Sequence, residues 1–228
     1  MDFRVYKSFI VFVIMIILLS GCVDTSDSEE GENTGSNVDF RLFPSNYFTD
    51  YDVSANLVGS DSRGYILTGS ITERTLPIST FLGEDSVEIE IKTEFTASNN
   101  AGVALATVNS HYNTDTNNRR FLGVSSDVET VSATTSVIPQ TAKIGDSGSI
   151  GVYISNASFE TTLSWRLEDG LNGNAKLIFS DTTNNQSGDP DNTFTTTYLI
   201  RPDGTRLSVQ LETYSVGANL RVVLSGDY

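Results

Sequence analysis

The chain has 228 residues, a formal charge of −15, and 38% hydrophobic and 10% aromatic residues. That much apolar material supports a core and excludes wholesale disorder, while the few scattered bases exclude a surface built to bind phosphate backbones. One cysteine and one histidine exclude a disulfide-rich scaffold and a His-rich metal site.

Arg4 and Lys7 precede an unbroken apolar run of 11 residues, Phe9 to Leu19, followed by the small residues Ser20 and Gly21 and then Cys22. A basic start, a short apolar stretch and small residues are the three parts of a secretory signal peptide. The run is too short to span a bilayer as a helix, which takes about 20 residues. Leu19-Ser20-Gly21-Cys22 resembles the lipobox of bacterial lipoproteins. The resemblance implies that residues 1–21 are removed and that Cys22 becomes the lipidated N-terminus. Each buried methylene contributes about 0.8 kcal/mol, so two or three acyl chains anchor permanently. In lipoproteins an aspartate directly after this cysteine favours inner-membrane retention. Here Val23 follows and Asp24 comes one place later. The expected address is therefore the cell envelope, at the outer membrane of a diderm bacterium.

Residues 22–38 continue as CVDTSDSEEGENTGSNV, with five acids, no base and almost nothing apolar after Cys22. Such a stretch cannot offset the entropy of ordering and is expected to be a disordered tether. As a flexible coil, 16 residues span about 20–24 Å.

From Asp39 to Tyr228 the hydrophobic pattern has period two. Val53, Ala55 and Leu57 alternate, and Tyr65, Leu67, Gly69 and Ile71 follow a turn over Gly59–Gly64. Val87, Ile89, Ile91 and Phe95 fall on one face and Glu88, Glu90, Lys92 and Glu94 on the other, as in a strand with one buried side. Leu163-Trp165-Leu167, Ala175-Leu177-Phe179, Phe194-Thr196-Tyr198-Ile200, Leu207-Val209-Leu211 and Leu220-Val222-Leu224 repeat the alternation. Pro202-Asp203-Gly204 marks a hairpin, with proline presetting φ and glycine accepting positive φ. About ten short strands predict a single all-β, antiparallel sandwich or barrel-like domain, with Val137-Ile138-Pro139 as the alternative boundary between two smaller ones. The outward residues are mostly Thr, Ser, Asn and Glu, unlike the lipid-facing band of a membrane barrel.

Candidate chemistry is sparse. Gly145-Asp146-Ser147-Gly148 resembles the nucleophile tetrapeptide of trypsin-like serine proteases, but Ser149 replaces that family's second glycine. His111, the one available base, lies 36 residues upstream (147 − 111). The same four residues also read as a turn between strands. His111 reads as a surface or strand-end residue. Asp181, Asn184, Asn185, Asp189, Asp191 and Asn192 form an oxygen-rich stretch, and Asp181, Asp189 and Asp191 are its candidate calcium ligands, at a spacing that matches no calcium loop. Asn113, Asp115, Asn117 and Asn118 form a similar cluster. Trp165 alternates with leucines and is expected to face the core rather than stack on sugars. No cofactor motif is present. The expected function is a non-enzymatic envelope lipoprotein that reaches the membrane through Cys22 and binds or scaffolds an envelope protein or glycan, not nucleic acid. The alternatives are a carbohydrate-binding module and a hydrolase using Ser147.

Overall fold

Alternating side chains set the architecture, and the computed structural model describes it for residues 37–98, 103–126, 130–154, 160–184 and 188–228. The expected signal peptide, Cys22 and the expected tether up to residue 36 lie outside the described residues. In chain order the strands are β1 (Phe40–Arg41), β2 (Asp52–Asp61), β3 (Ile66–Phe81), β4 (Glu84–Ala97) and β5 (Val103–Asn113). They continue as β6 (Phe121–Ser126), β7 (Thr130–Thr135), β8 (Thr141–Ala142), β9 (Ser147–Ile154) and β10 (Glu160–Asp169). The last four are β11 (Ala175–Asn184), β12 (Pro190–Ile200), β13 (Arg206–Ser215) and β14 (Leu220–Asp227). The expected all-β class is right and the expected number is low. There are fourteen described strands, and twelve of them form one closed antiparallel barrel, β10-β11-β12-β13-β14-β2-β3-β4-β5-β6-β7-β9. Strands on both sides of Val137-Ile138-Pro139 belong to this one barrel.

Inward positions carry the core. On β4 these are Val87, Ile89, Ile91, Thr93 and Phe95, while Glu88, Glu90, Lys92 and Glu94 face outward. An apolar interior with a polar exterior reverses the distribution that a lipid-embedded barrel needs. At Gly69 of β3 a Cβ would lie 1.9 Å from the Glu94 carbonyl oxygen of β4, so only glycine fits.

Residues 40–51 plug one end of the barrel. β1 pairs with β8, and Phe40, Leu42, Phe43, Tyr47 and Tyr51 all join the core. Thr75 of β3 holds the plug: its hydroxyl donates to the Tyr47 carbonyl at 2.6 Å and its N–H to the Tyr51 carbonyl at 2.8 Å. The β12–β13 hairpin turns where expected, through Pro202-Asp203-Gly204, and the Pro202 carbonyl accepts the Arg41 N–H at 2.9 Å. Gly204 sits at φ 84°, and a Cβ there would lie 2.5 Å from the Phe43 carbonyl oxygen.

A buried ion pair lies beneath the plug. Glu73 of β3 is fully buried and its Oε2 accepts from Arg206 Nη1 of β13. Its Oε1 accepts the Tyr198 hydroxyl at 3.0 Å and the Tyr228 hydroxyl at 2.5 Å. The Arg206 guanidinium stacks on the rings of Tyr198, Tyr47 and Tyr51, with its carbon 3.7, 4.6 and 5.5 Å from the three centroids. Removing one partner of such a pair leaves an uncompensated charge in low dielectric, whereas replacing both with apolar groups need not. Glu73→Gln is therefore expected to lower stability in urea unfolding by about 3–5 kcal/mol. Glu73→Leu combined with Arg206→Met should recover most of that loss.

Candidate functional site

The plug, the β5–β6 loop and the segment before β8 enclose a cleft of about 400 Å³ at the barrel mouth. Its apolar wall is Phe43, Phe48, Ile78, Val87 and Ile138, with Pro44 and Pro139 at the edges. The plug turn is compact, with the Tyr47 N–H donating to the Pro44 carbonyl at 3.0 Å and the Asp50 N–H to the Asn46 carbonyl at 3.1 Å. Phe43 and Phe48 pack at 5.0 Å, and Phe48 meets Tyr112 at 5.2 Å.

The loop opposite is built from the second oxygen-rich cluster. Asp115 accepts the Asn117 and Asn118 N–H groups at 2.9 and 3.2 Å and the Asn118 side-chain amide at 3.1 Å. Asn113 Oδ1 accepts the Arg120 N–H at 2.8 Å, and Asn113 Nδ2 donates to the Asn118 carbonyl at 3.0 Å. These bonds hold the loop so that Thr114, Thr116 and Arg119 line the cleft, and Gln140 Nε2 ties it to the opposite wall through the Thr116 carbonyl at 2.7 Å.

Arg119 is the chemically distinctive group. It is 6% exposed, its guanidinium carbon lies 4.1 Å from the Phe48 ring centroid, and one Nη1 donates to the Asn113 carbonyl. Burial lowers its pKa from the ordinary value, but a guanidinium remains charged. Among the described residues it forms no ion pair, and neither does Arg41, the second base of the cleft. Among the described residues no carboxylate lines the cleft, and Asp115 of the same loop acts on Arg119 from outside the lining. In a chain of net charge −15 this is a local reversal of sign.

Phe43 also lines a second, interior cavity of about 70 Å³. Its walls include Tyr112, Phe121, Phe179, Phe194 and Tyr198, together with Thr93, Ser110, Asp181, Thr196 and Arg206.

Of the residues singled out in the sequence, Cys22 and Asn185 lie outside the described residues. Asp181 belongs to β11, not to a loop, and is buried in the barrel interior; Asp189 is exposed at the β11–β12 turn. Asp191 is half-buried and accepts Asn192 Nδ2 at 3.0 Å. The three aspartates thus occupy different surroundings. Among the described residues no three His, Cys, Asp or Glu side chains are grouped to hold a metal ion. Ser147 is exposed at the start of β9. Gly145-Asp146 forms a turn, with Asp146 Oδ2 accepting the Lys143 N–H at 2.8 Å and Gly145 at φ 96°. Trp165 is buried, whereas Tyr65, Phe95 and Tyr214 are half-buried.

His111 lies near the end of β5 as expected, but it is 4% exposed rather than on the surface. Phe81 covers it, with the rings stacked at 4.0 Å. Ser86 Oγ lies 3.4 Å from Nδ1 and Ser125 Oγ 2.8 Å from Nε2. Both ring nitrogens are thus engaged, and neither faces Ser147.

Protein-family models, curated proteins and solved structures were all compared with the chain, and none matches it.

Burial lowers the His111 pKa to about 4, against about 6.5 in the unfolded chain. The folded state keeps the ring neutral, so the unfolded state alone gains a proton as pH falls below 6.5. The penalty grows from pH 6.5 to 4 and reaches about 3 kcal/mol. His111→Gln, which retains hydrogen-bonding groups without the titration, should unfold with a shallower loss of stability over that interval when urea midpoints are measured against pH.

Proposed function

We propose that this protein is a non-enzymatic lipoprotein of the cell envelope, tethered through lipid on Cys22, whose barrel mouth binds an amphipathic anionic envelope component. The observation that carries the ligand class is the cleft at the mouth. Its volume falls in the range of small-molecule sites, its lining sets an apolar wall beside hydroxyl and amide groups, and its two formal charges are both positive. Arg119 is pre-positioned by its stacking on Phe48 and its bond to the Asn113 carbonyl, so a carboxylate or phosphate would be met without reordering a long side chain. Arg41, at the solvent edge, adds attraction from a distance. Phe43, Phe48 and Ile78 offer an apolar body the surface it needs to leave water. The lipid anchor and acidic tether would hold this mouth close to envelope lipids while keeping the domain off an anionic surface.

The reading is tested by calorimetric titration of the full chain in nanodiscs with octanoate and with octyltrimethylammonium, subtracting empty nanodiscs. Saturable binding of octanoate alone is expected. Arg119→Gln and the exposed-site variant Arg41→Glu should each weaken it about tenfold or more, the equivalent of about 1.4 kcal/mol. Equal binding of both amphiphiles, or unchanged octanoate affinity in both variants, would reject the anionic ligand class. The address has its own test: Cys22→Ser should move the protein out of the membrane fraction.

A further inference from the structure

The interior cavity carries an unmatched acid. Asp181 is 2% exposed, it lines the cavity, and its Oδ1 has no hydrogen-bond partner among the described residues. Thr93 Oγ1, from the opposite part of the barrel, also lines the cavity and is likewise unpartnered. The one other charged group in the wall is Arg206, and Glu73 already neutralises it. An apolar side chain at position 181 would continue the series Ala175, Leu177, Phe179 with no such penalty, because a carboxyl buried without partners costs several kcal/mol. Retaining it calls for a compensating group in the cavity.

We propose that this cavity binds a small cation with N–H donors, an ammonium ion or a short primary amine, with Asp181 as its counter-charge. Three features select that class. The volume of about 70 Å³ admits a group of a few heavy atoms. The rings of Tyr112, Phe121, Phe179, Phe194 and Tyr198 offer faces that attract a cation. The oxygens available, one carboxylate and the hydroxyls of Thr93, Ser110 and Thr196, suit N–H donors better than a hard metal ion needing six or more oxygen ligands. Phe43, shared with the mouth cleft, is the side chain whose rotation would admit the ligand. The site is independent of the anion reading for the mouth, since its counter-charge lies in the barrel interior.

Burial pushes the Asp181 carboxyl well above its usual range, which favours its protonated, neutral form when no cation is present. The titratable groups facing it are the phenols of Tyr112, Tyr153 and Tyr198, which burial also pushes upward, and the Glu73–Arg206 pair, which is internally balanced. Binding then exchanges one proton for one cation: the protonated carboxyl and R–NH₃⁺ become carboxylate with R–NH₃⁺ plus a released H⁺. Affinity should rise about tenfold per pH unit while Asp181 is neutral in the free protein.

The probe is methylammonium chloride, titrated into the full chain in nanodiscs at constant ionic strength, with sodium chloride and tetramethylammonium chloride as comparators. The expected result is saturable methylammonium binding that strengthens with pH and releases about one proton. The near-isosteric Asp181→Asn should abolish it, and the same exchange at the exposed Asp85, Asp85→Asn, should leave it unchanged. Infrared difference spectra of the wild type add a readout needing no variant: the band of a protonated carboxyl should disappear on adding methylammonium. The proposal is overturned if methylammonium does not bind, if Asp181→Asn binds it as the wild type does, or if the carboxyl band persists at saturation. Each of those results denies Asp181 the role of counter-charge. Octanoate binding at the mouth is read separately, so failure here does not bear on it.

Discussion

The Glu73–Arg206 pair joins parts of the chain that share no backbone pairing. Glu73 lies on β3 and Arg206 on β13, two strands separated in the barrel by β2 and β14. Tyr198 adds β12, Tyr228 adds the segment after β14, and Tyr47 and Tyr51 bring in the plug through their faces on the guanidinium. Burying two charges costs several kcal/mol each before their attraction offsets it. The offset depends on good geometry, and here both carboxylate oxygens are engaged and the guanidinium is covered by aromatic faces. Arg206 Nε remains unpartnered, so satisfaction is incomplete on the cationic side. The pair thus fixes where the plug sits more than how much the fold is stabilised. Both cavities take a wall from the plug residue Phe43, so the position of the plug also determines their shapes.

The two cavities have opposite electrostatic character because their charges are solvated and paired differently. At the mouth, Arg119 keeps its charge while aromatic contact and one carbonyl replace its water. In the interior, Asp181 Oδ1 has no hydrogen-bond partner among the described residues, and burial favours the neutral form of the carboxyl. Overall acidity says nothing about either site. A net charge of −15 bears on solubility and long-range repulsion, whereas recognition depends on the few groups that line a concavity.

The sequence carried the strand class well and the site poorly, for reasons that attach to particular residues. Ala175, Leu177 and Phe179 mark the inward face of β11, but the strand runs on to Asn184, so the next inward positions are Asp181 and Thr183. The run of polar residues looks like a loop because no apolar side chain marks the inward face beyond Phe179. Following the parity past Phe179 would have placed Asp181 inside. Glu73 was open to the same step, two residues after Ile71. Arg206 was not. The alternation Leu207, Val209, Leu211 points Arg206 outward, and a bulge reverses it: Leu199 pairs with Ser208 and Ile200 with Arg206, so Leu207 is skipped and the parity changes. Arg119 gave no signal beyond its neighbour Arg120, since its role comes from Phe48, 71 positions earlier (119 − 48). Strands β6, β7 and β9 leave little trace in the sequence because glycine, serine and threonine interrupt their hydrophobic pattern, and β1 and β8 are two residues each.

Closure of the barrel sets an order on its formation. β2 finds one neighbour at once in β3, but its other neighbour is β14, with Asp61 opposite Val222 and Val58 opposite Ser225. Until the last strand is synthesised, the first has a bare edge, and the Glu73 carboxylate lacks both Arg206 and Tyr228. Folding ahead of completion is thereby discouraged, because early collapse would bury an acid without its base and leave an edge open to the wrong partner. A chain that stays unfolded until β14 can pair with β2 remains threadable, the state that the export proposed above would require.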